Sequence, residues 1–121
     1  MEIWYTSERF ERAFDNEIVA EVAFPGESPW FNGHFPQEPV LPGIAQVAVV
    51  HDLICRARRQ TLPLREISRL RFKRMVSPTD RLTVTITPRK GQAGAYGFRM
   101  TCRDEPVCSG FLKVGSGKEK A

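Results

Sequence analysis

The stretch Phe31-Asn32-Gly33-His34-Phe35-Pro36-Gln37-Glu38-Pro39-Val40-Leu41-Pro42-Gly43, followed at once by Ile44-Ala45-Gln46-Val47-Ala48-Val49-Val50-His51-Asp52-Leu53-Ile54-Cys55-Arg56-Ala57-Arg58-Arg59, decides how the rest of the chain is read. Its second half predicts a helix over residues 44–59. Ile44, Val47, Ala48, His51, Ile54 and Cys55 follow the i, i+3, i+4, i+7 pattern, and Val49, Val50 and Leu53 widen the apolar surface nearly all round. Such a helix must be buried on most sides, and a sheet wrapped around it does that. Arg56, Arg58 and Arg59 end it with charges that suit a helix C-terminus. The first half sets one histidine between a glycine and a proline-stiffened loop, just before the helix start. A lone histidine is usually structural. Here loop, proline-glycine pair and helix start agree on one geometry: a base that removes a proton beside a carbonyl, with the carbonyl oxygen held by backbone N–H groups.

Working outward, residues 17–24 read as a strand with Ile18, Ala20, Val22 and Phe24 on one face. Residues 4–14 can pair with it through a turn at Asp15-Asn16. Residues 25–43 carry five prolines and three glycines, a long loop of the kind that is often functional. Four strands are expected after the helix. Residues 64–74 contain Leu64, Ile67, Leu70 and Phe72 with arginines between; residues 81–87 set Leu82, Val84 and Ile86 against three threonines. Residues 95–103 align Tyr96, Phe98, Met100 and Cys102, and residues 106–114 align Cys108, Gly110, Leu112 and Val114. Turns are expected at Ser77-Pro78-Thr79-Asp80, from Lys90 to Gly94, and at Asp104-Glu105. The fold class is α+β: an antiparallel sheet of about six strands curled round one long central helix, with an edge strand that invites dimerisation. Residues 1–114 form one domain, and residues 115–121 are expected to be a disordered tail.

Composition narrows the function classes. A chain of 121 residues fits a single domain, and no apolar run is long enough to span a bilayer. Met1-Glu2-Ile3-Trp4-Tyr5 has neither the basic leader nor the apolar run of a signal peptide, so a cytoplasmic location is the default. The formal net charge is +4, with Arg56, Arg58, Arg59, Arg65, Arg69, Arg71, Lys73 and Arg74 clustered after the helix. Most of these suit a solvated surface; as a group they suit a phosphorylated cofactor arm or an acidic protein. No nucleic-acid motif accompanies them. Cys55, Cys102 and Cys108 are odd in number and lack metal-ligand spacing, so no metal and no cofactor is expected. A two-residue turn at Asp104-Glu105 would point Cys102 and Cys108 to opposite faces.

Gly33-His34-Phe35-Pro36 and Pro39-Val40-Leu41-Pro42-Gly43 resemble the signature of the hot-dog fold β-hydroxyacyl-(acyl carrier protein) dehydratases. Arg71-Phe72-Lys73-Arg74-Met75-Val76-Ser77-Pro78-Thr79-Asp80 is similar to the family's downstream segment, and the likeness covers roughly residues 17–114. The resemblance implies a dimer with active sites at the subunit interface and a role in fatty acid biosynthesis. The implied substrate is a 3-hydroxyacyl thioester on a phosphopantetheine arm, of acyl carrier protein or coenzyme A, and the product a trans-2-enoyl thioester. It implies that His34 is the base, that the Gly43 N–H holds the thioester carbonyl, and that the Val40 carbonyl orients His34. Phe31 and Phe35 fall where the core or the tunnel wall would be, and Trp30 near the tunnel mouth.

One position departs from the family pattern. The family carries Glu or Asp five residues after the glycine, on the helix of the partner subunit, to protonate the departing hydroxyl; here Ala48 stands there. A methyl group has no proton to give. Asp52, one turn on, and His51 are candidate substitutes, each with an ordinary structural reading beside it; Gln46 could orient a water but is no acid. Three readings follow: a dehydratase whose activity is weak or depends on a partner; a binding subunit that pairs with a catalytic homologue; and, by fold analogy alone, a thioesterase. A homodimer and a heterodimer both remain open.

Overall fold

The computed structural model describes residues 4–13, 16–26, 28 and 41–115. Strand β1 (Thr6–Arg12) and strand β2 (Ile18–Ala23) precede helix α1 (Gly43–Arg58); β3 (Leu64–Phe72), β4 (Leu82–Pro88), β5 (Ala95–Cys102) and β6 (Glu105–Val114) follow. The strands form one antiparallel sheet in the order β1-β2-β4-β5-β6-β3. The connection through α1 therefore carries the chain from one half of the sheet to its far edge.

Period-two alternation sets the core. Ile18, Ala20 and Val22 of β2, Leu82, Val84 and Ile86 of β4, and Tyr96, Phe98, Met100 and Cys102 of β5 are all buried. Against them pack Ala45, Val47, Val49, Val50, Leu53, Ile54 and Ala57 of α1. The helix starts at Gly43, one residue before the expected start. It ends at Arg58, with Arg59 in the left-handed region at φ 55°, where its N–H bonds back to the Arg56 carbonyl. Ile44, Ala48, His51 and Cys55 lie on the stripe of α1 that the sheet does not cover.

Two features depart from the sequence-based expectation. The β5–β6 turn is Arg103-Asp104, at φ 52° and 67°, and Glu105 already belongs to β6. Thr101 pairs with Pro106 but Met100 with Cys108, leaving Val107 as an extra residue. That bulge moves Cys108 onto the inner face, so Cys102 and Cys108 are both buried rather than opposed. The second departure is in β3, where apolar residues recur at spacings too irregular for a plain strand. Register shifts between Leu64 and Glu66 and between Ser68 and Arg71, the latter with Arg69 at φ 53°, explain them. Each extra residue resets the alternation and keeps Leu64, Ile67 and Phe72 on the core side, opposite Val114, Leu112 and Cys108. Leu70 joins them by packing over Gly110, where an added Cβ would lie 2.8 Å from Leu70 Cδ2.

Residues 14–15, 29–40 and 116–121, among others, lie outside the described residues. The turn at Asp15, the proline-rich loop and the tail expected from the sequence fall there. Among the described residues no helix is long and apolar enough to cross a membrane.

Candidate functional site

The site is built around the first turn of α1. Pro42, at φ −60° and ψ 148°, is the N-cap residue and brings no side-chain cap; no acidic residue occupies the first turn. The N–H groups at Gly43 and Ile44 therefore point out of the helix at its positive end with no side-chain cap among the described residues, which is the condition for holding a carbonyl oxygen or an anion. Gly43 also leaves room for the ring of Phe72. A Cβ there would lie 2.8 Å from Cζ of Phe72 and 3.1 and 3.2 Å from its Cε atoms. The Phe72 ring thus closes over the glycine from the end of β3.

The downstream segment holds this start in place. The Leu41 N–H donates to the Val76 carbonyl at 2.8 Å, and the Thr79 N–H donates to the Phe24 carbonyl at 2.8 Å. The turn between is fixed by the Ser77 N–H donating to Asp80 Oδ2 at 2.9 Å. Residues 72–80 thereby touch both ends of the loop that runs from Phe24 to Gly43. The two motifs are one structural unit, although about 30 residues separate them. Phe72 and Val76 lie in the downstream segment noted from the sequence, but neither was given a role at the site. The signal was the apolar spacing before Lys73, legible only once the bulges are known.

The other candidates divide. His34, Val40, Phe31, Phe35 and Trp30 lie outside the described residues. Ala48 is half-buried on the stripe it shares with Ile44. Asp52 Oδ2 accepts a short hydrogen bond from the Tyr5 hydroxyl, which also accepts one from Arg56 Nη1 at 3.1 Å. Burial and the Asp52 carboxylate push the Tyr5 hydroxyl up to about 12. Asp52 is thus drawn toward the N-terminal segment. His51 Nε2 donates to the Leu62 carbonyl at 2.6 Å, with Cys55 Sγ 3.6 Å away. Gln46 is 3% exposed, and its Oε1 has no partner among the described residues. Among the described residues, no cluster of three or more His, Cys, Asp or Glu could hold a metal ion.

Around this site runs an uncovered apolar seam. Ile44 is 65% exposed, Met75 70% and Phe72 49%, and Leu64, Ile67 and Leu70 continue it along β3. The four on β3 lie on the core side of an edge strand and, among the described residues, stay partly exposed there. Large exposed apolar groups arrayed in this way mark a protein interface.

Comparisons with known proteins agree with the geometry. Residues 11–111 match the family described as ApeI-like, ApeI dehydratase. A 3-hydroxyacyl-[acyl-carrier-protein] dehydratase, FabZ, of Streptococcus equi subsp. zooepidemicus is 38% identical over 120 residues, covering 92% of this chain and 86% of that protein. The solved dehydratase heterocomplex ApeI:P from Xenorhabdus doucetiae superposes with a TM-score of 0.80 at 22% identity, over 92% of this chain and 97% of that one. A thioesterase from Pseudomonas aeruginosa shares the fold with a TM-score of 0.60 at 18% identity, over 88% of this chain and 78% of that one. With the family match spanning most of the sequence, the six-stranded antiparallel sheet around one helix is a hot-dog fold, and the chain belongs to the ApeI-like dehydratase family.

Proposed function

We propose that this protein is the base-bearing subunit of a 3-hydroxyacyl thioester dehydratase, acting on acyl carrier protein or coenzyme A thioesters and working as a dimer. The observation that carries the reading is the uncapped start of α1 at Pro42-Gly43, closed by Phe72 and tied to residues 72–80. The Gly43 N–H accepts the role of donor to the thioester carbonyl. His34, oriented by the Val40 carbonyl, takes the proton from C2, and the C2–H electrons flow into an enolate held at the helix start. The C3–O bond then breaks, and the departing hydroxide takes a proton and leaves as water. Phe31 and Phe35 line the acyl tunnel.

The last step needs an acid, and Ala48 supplies none. The stripe that carries Ala48 turns away from this chain's own sheet, so whatever stands at that position serves a neighbouring subunit. Asp52 and His51 are held by Tyr5 and Leu62 within the chain. That supports an acid delivered by a partner with a carboxylate at the equivalent position, in a heterodimer formed along β3 and the Ile44–Met75 seam. The heterocomplex relative supports the same assembly. In the homodimer the missing acid should cost roughly 3–5 kcal/mol in the barrier.

The test is incubation of the pure protein with 3-hydroxyacyl and trans-2-enoyl thioesters, read by mass spectrometry. Slow interconversion, lowered on the order of a hundredfold or more by His34→Ala and raised by Ala48→Glu, is expected. Free acid as product would make the protein a thioesterase. Unchanged ligand with measurable binding would favour a non-catalytic subunit. A fast homodimer unaffected by Asp52→Asn and His51→Ala would refute the missing-acid argument.

A further inference from the structure

The outer face of the sheet, away from the helix, gathers three arginines with no carboxylate between them. The register sets Arg71 of β3 beside Ser109 of β6, Ser109 beside Arg99 of β5, and Arg99 beside Thr85 of β4. Directly opposed residues share a face, so these four side chains form one row across four strands. The adjacent row, Phe72, Cys108, Met100 and Val84, faces the core. The row is therefore on the side opposite the Gly43 site. Arg69, thrown outward by the β3 bulge at φ 53°, lines the same groove.

The groove is shallow and open to solvent, with room for about 500 Å³. Its floor is low because Gly97 has no side chain and Ser109 a small one. Phe111 forms a wall: a Cβ on Gly97 would meet its Cε1 at 3.3 Å, and Arg89 covers the ring with its guanidinium 4.5 Å from the centroid. Glu17, the lining carboxylate, stands at one end and accepts a hydrogen bond from the Thr87 hydroxyl at 3.0 Å. The ion pairs described are Arg9–Glu11, Arg74–Glu105 and Arg81–Glu8; none involves Arg69, Arg71 or Arg99. Three like charges around one polar hollow repel each other unless an anion joins them.

We infer that this groove binds a small molecule bearing a diphosphate. Guanidinium forks match phosphate oxygens in pairs, and the hydroxyls of Thr85 and Ser109 add donors between them. Arg71 and Arg99 stand two strand intervals apart, about 9–10 Å at their backbones. Their side chains can close on a diphosphate from both ends while Arg69 reaches it from the edge. The charge of a diphosphate matches three arginines better than that of a single phosphate. Glu17 closes one end and disfavours a longer polyanion. The site stands apart from the reading of the helix start and does not depend on it.

The test is isothermal titration of the full-length protein with pyrophosphate, ADP, coenzyme A and phosphopantetheine at 150 mM salt (~8 Å screening length). Pyrophosphate should bind once per chain, and phosphopantetheine, with its single phosphate, at least tenfold more weakly. Arg71→Ser and Arg99→Ser should each weaken pyrophosphate about tenfold or more, Arg71→Lys should recover part of the loss, and Arg103→Ser, on the β5–β6 turn, should change nothing. Coenzyme A binding well above ADP would identify the nucleotide end of a thioester as the source; equal affinity would identify a free nucleotide. Arg71→Ser lies on an edge strand and keeps the test valid if Arg99→Ser fails to fold. No diphosphate binding at millimolar concentration, binding indifferent to both arginine variants, or equal binding of the single phosphate would each overturn the inference.

Discussion

The two edges of this sheet are finished in opposite ways. At the β1 edge the strand reads Thr6-Ser7-Glu8-Arg9-Phe10-Glu11-Arg12. Arg9 pairs with Glu11 at 2.9 Å and Glu8 with Arg81 at 2.9 Å, while Phe10 lies under the Arg56 guanidinium, 4.8 Å from its ring centre. Charges blunt the edge and cover its one large apolar side chain. At the β3 edge two bulges turn Leu64, Ile67, Leu70 and Phe72 to one side and leave them uncovered. A chain that protects one edge and leaves the other apolar has one terminus to its sheet and one seam. The seam runs into Ile44 and Gly43, so the proposed association and the candidate active site would share a border.

The largest effect should come from charging the seam. Ile67→Asp with Leu70→Asp should raise the dimer dissociation constant at least about hundredfold, because each substitution removes apolar contact and buries an unpaired carboxylate at a cost of several kcal/mol. Phe10→Asp at the β1 edge should leave association unchanged. Light scattering after size exclusion decides it; a β1 variant that dissociates, or a β3 variant that does not, breaks the contrast.

Next comes the border itself. Gly43→Val should cost about 1–3 kcal/mol by forcing the Phe72 ring aside. Because that ring is half exposed and can swing, the loss should sit at the low end and shrink in a Phe72→Ala background. A double-mutant cycle in urea measures the coupling; additive losses would mean that ring and glycine are independent.

On the protected side, Tyr5→Phe should cost about 1 kcal/mol by removing a hydrogen bond to Asp52. The sign of its pH dependence follows from the raised hydroxyl. Folded Tyr5 ionises at about 12 against an ordinary 10.0, so its contribution is complete below pH 10 and is lost as pH rises toward 12. Absorbance titration of the two tyrosines should show a late phase that Tyr5→Phe deletes.

The smallest effect concerns thiols. Cys55 is half-buried, whereas Cys102 and Cys108 are buried, and burial pushes the Cys108 thiol up to about 12. At pH 8 a thiol reagent should label Cys55 first and reach the other two only on unfolding. Early labelling of Cys108 would mean that the β5–β6 bulge opens readily.

Much of this architecture was readable along the chain. The inward faces of β2, β4 and β5 follow from alternation, and α1 from an apolar surface too broad for a surface helix. The helix start was legible to within one residue, at Ile44 against the observed Gly43, because the apolar run opens there. Bulges were not legible. The extra residues at Val107 and in β3 depend on which strand lies alongside, so the shared face of Cys102 and Cys108, and the turning of Leu70 and Phe72 to the core side, could not be read locally. Tyr5 with Asp52, 47 residues apart, was equally hidden.

The sequence by itself determined a strand pair, one enveloped helix, a meander and a family signature around His34 and Gly43, because each is written in local periodicity or in contiguous residues. Only the tertiary structure decided that residues 72–80 clamp both ends of the motif loop, that one sheet edge is sealed and the other apolar, and that Arg69, Arg71 and Arg99 line one groove with Ser109. Those outcomes depend on register. A register is a property of two strands together, set by how their side chains pack, and a single pass along one strand does not contain it.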